Sequence, residues 1–318
     1  MNYIGIDIGG TKCAVSIGYE KDGDLVIERK ESIPTDLSCS PYEMLERLSE
    51  ILDGMTKEYD AIGISCGGPL NTLTGEILSP PNLPGWDHVE VVRFFEEKYH
   101  CPVILQNDAN ACALAEWRYG AGKGCENMAF FTFGTGLGAG LILNGRLYDG
   151  ACGMAGEAGH MRLADHGPVG YGKAGSFEGF CSGGGLKQLG QTYAKERLQM
   201  GKTVSFCQSN EELESITAKK IAEFAKAGNE DALEVYRICG EKLGRGLSII
   251  IDLLNPDRIV LGSIFTRCEE LLRPSMEKVL QRETLALSRK TCKILPAELG
   301  EQIGDYAALS LAAEALRN

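Results

Sequence analysis

The chain has 318 residues, 44% of them hydrophobic, which suffices for a buried core and allows two domains. A net charge of −12 excludes a broad basic face of the kind that binds nucleic acid, and no apolar run approaches the roughly 18 residues that span a membrane. Twelve cysteines without a Cys-x-x-Cys pair, behind an N-terminus with no signal peptide, indicate free thiols and a cytoplasmic location.

Apolar runs and helical periodicity alternate along the chain, which is typical of α/β proteins. The predicted strands lie at residues 3–8, 13–17, 61–65, 103–106, 128–133, 140–143 and 258–261. The predicted helices lie near residues 41–57, 89–99, 109–119, 184–200, 217–227, 231–254, 268–280 and 304–317.

The first strand leads into the stretch DIGGTK, residues 7–12. A Gly-Gly turn between two strands is by itself an ordinary β-hairpin. That interpretation leaves Asp7 unexplained, because a buried carboxylate is costly without a partner. The turn also offers backbone N–H groups, the hydroxyl of Thr11 and the amine of Lys12. Together these groups indicate a phosphate-binding turn beside a carboxylate that holds a metal ion.

A second stretch, FFTFGTGLGAGLIL at residues 130–143, repeats the order of apolar strand, glycine turn and apolar strand. This pattern is consistent with a second hairpin or with a second phosphate-binding turn. The spacing of Gly134, Gly136 and Ala139 also matches the dinucleotide-binding fingerprint, but that fingerprint must open a helix. Here an apolar strand and then Asn144-Gly145, a strong hairpin signal, follow the turn. This context argues against an NAD-dependent enzyme.

Five ordered stretches resemble the motifs of the ROK family of sugar kinases and repressors, in the actin/hexokinase/Hsp70 superfamily. They are DIGGTK (7–12), NDANACALAE (107–116), TFGTGLGAGL (132–141), GEAGH (156–160) and NPDRIVLG (255–262). The resemblance implies an α/β, two-lobed actin-like ATPase fold of the ribonuclease H-like type, with the active site in the cleft between the lobes. The small N-terminal lobe would comprise residues 1–108, completed by the C-terminal helix at 299–318, and the large lobe residues 109–298.

The family's repressors carry an N-terminal helix-turn-helix, for which we expect no room before Tyr3. The resemblance therefore implies a kinase that uses ATP and Mg²⁺ to phosphorylate a hexose or an N-acetylhexosamine. Glucose or N-acetylmannosamine is the expected acceptor, and fructose and allose are alternatives. The alternative from another class is a sugar-sensing regulator without catalysis. The expected partners are the sugar and ATP, with no nucleic acid and no membrane, and a homodimer is left open.

The residue types and the resemblance together suggest a role for each candidate side chain. The two glycine turns would hold the nucleotide phosphates, with Asp7 holding Mg²⁺ through water because Mg²⁺ sheds water reluctantly. Asp108 reads from sequence as an ordinary helix N-cap or as the general base, and the family's Asn-Asp pair favours the base. The resemblance assigns sugar binding to Asn82, Asn107, Asp108, Glu157, His160 and Glu178, and nucleotide binding to Gly9, Gly10, Thr11, Lys12, Gly134, Thr135, Gly136 and Gly262.

One segment departs from the family. Many ROK proteins bind a structural zinc through the histidine that matches His160 and three cysteines, in the pattern CxCGxxGCxE. Here the segment reads VGYGKAGSFE, with Val169, Tyr171 and Ser176 at the cysteine positions. Because structural zinc is almost always four-coordinate, we expect no zinc. We expect packing of Val169, Tyr171 and Phe177 to hold the loop instead.

Overall fold

The computed structural model describes residues 1–317, which form two compact units. Unit 1 comprises Met1–Glu126, Gly140–Gly156 and the segment that begins at Glu298, and unit 2 comprises Asn127–Ala139 and Glu157–Ala297. The lobe boundaries implied by the resemblance, at residues 108 and 298, stay a prediction. Within residues 1–317, every helix is too short or too polar to span a bilayer.

Residues 1–317 form fourteen strands and ten α-helices. The strands are β1 (Asn2–Ile8), β2 (Lys12–Lys21), β3 (Asp24–Pro34), β4 (Ala61–Cys66), β5 (Leu70–Asn71), β6 (Glu76–Ile77), β7 (Val103–Asn107), β8 (Met128–Phe131), β9 (Ala139–Leu143), β10 (Arg146–Leu147), β11 (Val169–Gly170), β12 (Lys173–Ala174), β13 (Arg258–Leu261) and β14 (Lys293–Pro296). The helices are α1 (Pro41–Met55), α2 (Val91–Tyr99), α3 (Asp108–Tyr119), α4 (Phe177–Phe180), α5 (Gly183–Gln199), α6 (Ala218–Lys226), α7 (Glu230–Leu254), α8 (Ile264–Glu283), α9 (Ala286–Thr291) and α10 (Ile303–Ala315). Every predicted strand and helix is present, with ends that shift by up to four residues, and β3, β14, α4, α9 and five two-residue strands were not predicted.

Unit 1 is built on a sheet with the strand order β3-β2-β1-β4-β7. β1 pairs antiparallel with β2 and parallel with β4, and β4 pairs parallel with β7. The register places Ile8 opposite Cys66 and Cys66 opposite Asn107. Because parallel strands end at the same edge of a sheet, Asp7 and the Asn107-Asp108 pair lie at one edge.

The backbone of helix α10 packs unusually close to this sheet. A Cβ atom added to Gly63 in β4 would lie 2.1 Å from the carbonyl oxygen of Ala308, and one added to Gly5 in β1 would lie 2.9 Å from the Cβ of Ala308. Any larger side chain at these two strand positions would push the helix away. The C-terminal helix is therefore part of unit 1, seated on two glycines.

In unit 2, β13 pairs in parallel with β8 on one side and with β14 on the other. Helices α7 and α8 pack on one another, with Gly240 and Gly244 of α7 against the backbone of α8. Gly246, also in α7, leaves room for the ring of Phe177, whose nearest atom would lie 2.4 Å from an added Cβ. This packing fixes the start of α4, the helix that carries Glu178.

A buried carboxylate fastens α3 to the segment that leads into α10. Glu116 is fully buried, and its side-chain oxygens accept hydrogen bonds from the backbone N–H groups of Ala121 (2.9 Å), Leu299 (2.9 Å) and Glu298 (3.3 Å). Three donors offset the cost of removing this carboxylate from water. The arrangement makes Glu116 the link between a central helix and the C-terminal part of unit 1.

We expect Glu116→Ala to lower the free energy of unfolding by about 2–4 kcal/mol, because three backbone N–H groups lose their acceptor. Urea unfolding followed by circular dichroism measures this change. The matched control is Glu50→Ala, at an exposed glutamate on α1, which should cost less than about 0.5 kcal/mol. Equal unfolding midpoints for the two variants would contradict the assignment.

Candidate functional site

The start of α3 carries two adjacent polar side chains at the sheet edge of unit 1. Asn107 is the N-cap, and its side-chain oxygen accepts a hydrogen bond from the N–H of Ala109 (3.0 Å). Asp108 is the first residue of the helix, and its Oδ1 accepts from the same N–H (2.8 Å). The interpretation of Asp108 as the N-cap is therefore wrong. Asn107 caps the helix, so Asp108 is not needed as a cap.

The carboxylate of Asp108 is suited to accept a proton. The residue is exposed to solvent, and the donors to its carboxylate are backbone N–H groups at the start of α3, those of Ala109 and of Asp108 itself. Protein around the carboxylate impedes its hydration and raises the pKa of Asp108, while the backbone N–H groups of Ala109 and of Asp108 itself work in the opposite direction. A carboxylate with a raised pKa and free lone pairs is a candidate general base.

Asp7 lies near the end of β1 and has no hydrogen-bonded partner for its side chain among residues 1–317. Burial, and then the negative charges of Asp108 and Asp305, raise the pKa of Asp7 to about 6, against the opposing charges of Lys30 and Lys12. The repulsion shows that this group of carboxylates is not fully neutralised by the protein. A bound cation would neutralise it.

The donor set fits Mg²⁺ and not a metal held wholly by protein. Among residues 1–317 no cluster of three or more His, Cys, Asp or Glu side chains could hold a metal ion. Mg²⁺ typically takes one or two carboxylates and completes its shell with water and substrate phosphates. Asp7 would supply the carboxylate, and the ion when bound would neutralise phosphate charge.

Two residues of this region were missed from the sequence. Asp305, in the first turn of α10, is buried and accepts hydrogen bonds from Ser16 Oγ (3.1 Å) and Lys30 Nζ (2.8 Å). Lys30 belongs to β3, an edge strand whose polar residues gave no strand signal. The pair joins positions 275 residues apart in the chain, so no local pattern could reveal it.

The β1–β2 turn has the free donors that a phosphate needs. Gly9 donates its N–H to the carbonyl of Lys12 (3.2 Å) and its own carbonyl accepts from the Thr35 hydroxyl, which fixes the turn. The N–H groups of Gly10 and Thr11 have no acceptor within residues 1–317. Two adjacent free N–H groups beside Lys12 form a small anion-binding concavity.

The same turn touches the predicted sugar residue Asn82. A Cβ added to Gly10 would lie 2.5 Å from both the Cβ and the carbonyl oxygen of Asn82. A glycine is required at this position because the backbone at Asn82 packs on it. In unit 1 the structure therefore brings together the turn at residues 9–12, Asp7, Asn82 and the Asn107-Asp108 pair.

The second glycine turn lies in unit 2. The N–H of Gly134 donates to the carbonyl of Gly136 (3.0 Å). The start of α5 also fixes the turn, because the N–H of Gly183 donates to the carbonyl of Gly134 (2.8 Å). The N–H groups of Thr135 and Gly136 have no acceptor among the residues described. This turn thus repeats the free donors of the first. Gly262 lies beside it and donates its N–H to the carbonyl of Phe131 (2.9 Å).

The predicted sugar residues of unit 2 gather around that turn. Glu178 accepts a hydrogen bond through Oε2 from the N–H of Leu137 (3.0 Å), and a Cβ added to Gly136 would lie 2.8 Å from the same oxygen. Glu157 precedes a short 3₁₀ turn that ends at His160. Gly159 in that turn packs on Leu137 and on the Cβ of Glu178. Glu178 and the Glu157–His160 turn are therefore neighbours.

The expected packing of the segment that lacks the cysteines is wrong for two of its three residues. Phe177 is fully buried, but 47% of Val169 and 70% of Tyr171 are exposed. Hydrogen bonds hold the segment instead. It forms the hairpin β11–β12, and Gln188 both donates to the carbonyl of Val169 (2.9 Å) and accepts from its N–H (2.8 Å). Ser176, at the third cysteine position, caps α4.

Comparison with known proteins finds similarity along nearly the whole chain. The ROK family profile matches residues 3–315. A glucokinase from Streptomyces coelicolor is 30% identical over 318 residues, which cover 98% of this chain and 97% of that protein. The crystal structure of a ROK family glucokinase from Streptomyces griseus, in complex with glucose and AMPPNP, is 28% identical, with a TM-score of 0.76 over 99% of this chain and 100% of that one. The DNA-binding transcriptional dual regulator NagC of Escherichia coli is 26% identical, over 96% of this chain and 74% of that protein.

The carboxylate repulsion at Asp7 predicts opposite effects on activity and stability. We expect Asp7→Asn to abolish turnover and to raise the free energy of unfolding in a chelator by about 1–3 kcal/mol, because the cost of burying the charge and the repulsion from Asp108 and Asp305 both disappear. Calorimetric melting in EDTA near pH 8 measures the second effect. Asp22→Asn, at an exposed turn, is the control and should change neither quantity. A destabilised Asp7→Asn protein with normal turnover would refute the role.

The substituted cysteine positions predict a protein without structural zinc, because Val169 cannot bind a metal and Ser176 is used as a helix cap. Elemental analysis of protein purified without a metal-affinity tag should find no stoichiometric zinc. Activity lost on prolonged chelation should return with Mg²⁺ alone. About one zinc per chain, as a structural site would hold, or activity restored by zinc alone, would overturn the expectation.

Proposed function

The chain belongs to the ROK family and is an ATP-dependent carbohydrate kinase, and we propose that it phosphorylates a hydroxyl of a hexose or an N-acetylhexosamine, with glucose the first candidate. The observation that carries this proposal is the carboxylate of Asp108, which is exposed, accepts a hydrogen bond from the N–H of Ala109 and is freed from capping by Asn107. Asp7 and the turn at residues 9–12 belong to the same sheet edge. Base, metal-holding carboxylate and phosphate donors are the parts that phosphoryl transfer requires.

Asp108 acts as the general base in this proposal. A sugar hydroxyl within hydrogen-bond reach would give its proton to the free carboxylate oxygen as the phosphoryl group transfers. The surrounding protein, which impedes hydration of the carboxylate and raises the pKa of Asp108, makes it a better proton acceptor than an aspartate in free solution. The rigid start of α3 keeps the carboxylate in one place, since Asn107 anchors the first turn.

The nucleotide residues act through backbone groups more than through charge. In unit 1, the free N–H groups of Gly10 and Thr11 and the amine of Lys12 would bind phosphate oxygens. In unit 2, the free N–H groups of Thr135 and Gly136 would do the same. A protein with a net charge of −12 depends on such local donors to bind a polyanion.

Sugar recognition is proposed for Asn82 and Asn107 in unit 1 and for Glu157, His160 and Glu178 in unit 2. Amides, carboxylates and an imidazole supply both donors and acceptors, which the hydroxyl groups of a sugar need. One oxygen of Glu178 already accepts from Leu137, and this bond orients the other for a ligand. The name of the Streptomyces coelicolor relative favours glucose, and N-acetylmannosamine, fructose and allose are the alternatives to test.

The second candidate is a sugar-sensing regulator without catalysis, which the similarity to the Escherichia coli regulator favours. A regulator of this kind needs no general base, whereas Asp108 has the free carboxylate that catalysis requires. We also propose a cytoplasmic location, because all twelve cysteines are free thiols. A coupled ADP-release assay over a panel of hexoses and N-acetylhexosamines decides between kinase and regulator, and calorimetry on the same panel detects sugar binding without turnover.

We expect Asp108→Asn to lower kcat by about 10²- to 10⁴-fold, the usual contribution of a general base. Calorimetric sugar affinity should change little, because an amide still hydrogen-bonds a hydroxyl. The helix should stay intact, since Asn107 is its cap. Asp22→Asn, an exposed control, should keep full turnover. Near wild-type kcat in Asp108→Asn would exclude it as the base.

A further inference from the structure

Tyr171 occupies a backbone position that does not favour it. It is the first residue of the two-residue turn that joins Gly170 to Lys173 in the hairpin β11–β12. Tyr171 has a φ of +42° and Gly172 a φ of +74°. Turns with two positive φ values strongly favour Asn-Gly, and a bulky residue with a positive φ is a conformational outlier. Because 70% of Tyr171 is exposed, burial does not compensate for this conformation.

The ring of Tyr171 contacts the imidazole of His160. Their ring centroids lie 5.3 Å apart with an interplanar angle of 85°, an edge-to-face arrangement. The same hairpin reaches His160 a second time, because Lys173 Nζ donates to the backbone carbonyl of His160 (2.8 Å). The side chain and the main chain of His160 are thus both held by this hairpin.

The imidazole of His160 has no hydrogen-bond partner among residues 1–317, so both its nitrogens are available to a ligand. A ligand binds such a histidine more weakly if the imidazole ring rotates freely in the unbound protein, because binding must then order the ring. The contact with Tyr171 limits that rotation before the ligand arrives.

The hairpin is itself firmly placed. Gln188 forms two hydrogen bonds with the backbone of Val169, and Arg162 donates to the carbonyl of Ala174 (2.7 Å). Gly170 packs on Glu178, another predicted sugar residue of unit 2, because a Cβ added there would lie 2.9 Å from the Cβ of Glu178. One short hairpin therefore borders both His160 and Glu178.

We propose that Tyr171 is a positioning residue for sugar binding, which orients the His160 imidazole through its edge-to-face contact. The assignment rests on the proposed function, because it takes His160 as a sugar ligand. It explains why the turn keeps an exposed tyrosine at a positive φ where Asn-Gly would fit the backbone better. The hairpin then determines how tightly the sugar binds without taking part in phosphoryl transfer.

The test separates the ring from the turn. Tyr171→Asn removes the ring and places the favoured Asn-Gly pair in the turn, whereas Tyr171→Phe keeps the ring without its hydroxyl. We expect Tyr171→Asn to raise the KM and the calorimetric Kd for the sugar about 2- to 10-fold, the range given by one aromatic pair. The KM for ATP should not change, kcat should change less than about twofold, and the melting temperature should stay equal or rise. Tyr171→Phe should bind sugar like the wild type.

The matched control is Tyr42→Ala, which removes another partly exposed tyrosine that pairs with an aromatic ring, Phe94, away from the site. It should leave sugar affinity unchanged. A double-mutant cycle adds the decisive comparison: once His160→Ala is present, adding Tyr171→Asn should have no further effect on sugar binding. Full additivity of the two changes would overturn the proposal.

Unchanged sugar affinity in Tyr171→Asn would also overturn it, and so would a loss of affinity that Tyr171→Phe shares or that follows a lowered melting temperature. Calorimetry measures sugar binding without turnover, so it tests the role of Tyr171 separately from the proposed kinase activity. A wild-type protein that binds a hexose but never phosphorylates one would refute the kinase assignment, and a weaker Tyr171→Asn complex would still support the role of Tyr171.

Discussion

The close approach of α10 to β1 and β4 is the constraint on which the chemistry of unit 1 depends. Gly5 and Gly63 allow the helix backbone to lie directly on the two strands. This approach brings Asp305, in the first turn of α10, to Ser16 of β2 and Lys30 of β3. A larger residue at either glycine would move Asp305 away from the strands that carry its partners. The C-terminal helix therefore takes part in the electrostatics of a site whose other residues come from the first third of the chain.

The negative charges of this group of carboxylates are not balanced by positive charges of the protein. Lys30 pairs with Asp305, yet burial, and then the charges of Asp108 and Asp305, still raise the pKa of Asp7. A fold selected for stability alone would neutralise these carboxylates or replace them, since surplus like charge lowers the free energy of unfolding. Residues that oppose stability concentrate where a ligand supplies the missing interaction, and under the proposed function that ligand would be a cation with the phosphates that accompany it. The free N–H groups of Gly10 and Thr11 beside the same strand end fit that interpretation.

The sequence predicts the parts of the site that depend on neighbours along the chain. The first strand, Asp7 near its end and the Gly-Gly turn that follows predict a phosphate-binding turn from local sequence, and the boundary before α3 locates Asn107 and Asp108. Lys30 and Asp305 escaped prediction because β3 is a polar edge strand and its partner lies in the last helix. The expectation for Val169 and Tyr171 failed because apolar character was taken to mean burial. Hydrogen bonds from Gln188 and Arg162 hold that segment, and such long-range bonds leave no trace in a hydrophobic pattern.

The two units support their site residues by different means, and this difference bears on specificity. Asp7 and Asp108 of unit 1 lie at the ends of paired strands and the start of a helix, which are rigid positions suited to chemistry that tolerates little displacement. His160 and Glu178 of unit 2 depend on a 3₁₀ turn, a short helix and the hairpin β11–β12. Loops accept substitution far more readily than strand ends. On the proposed function, changes in the hairpin would alter which sugar is bound while Asp7 and Asp108 stay as they are, so we expect substrate preference to vary with residues 169–174 more than with the glycine turn at residues 9–12.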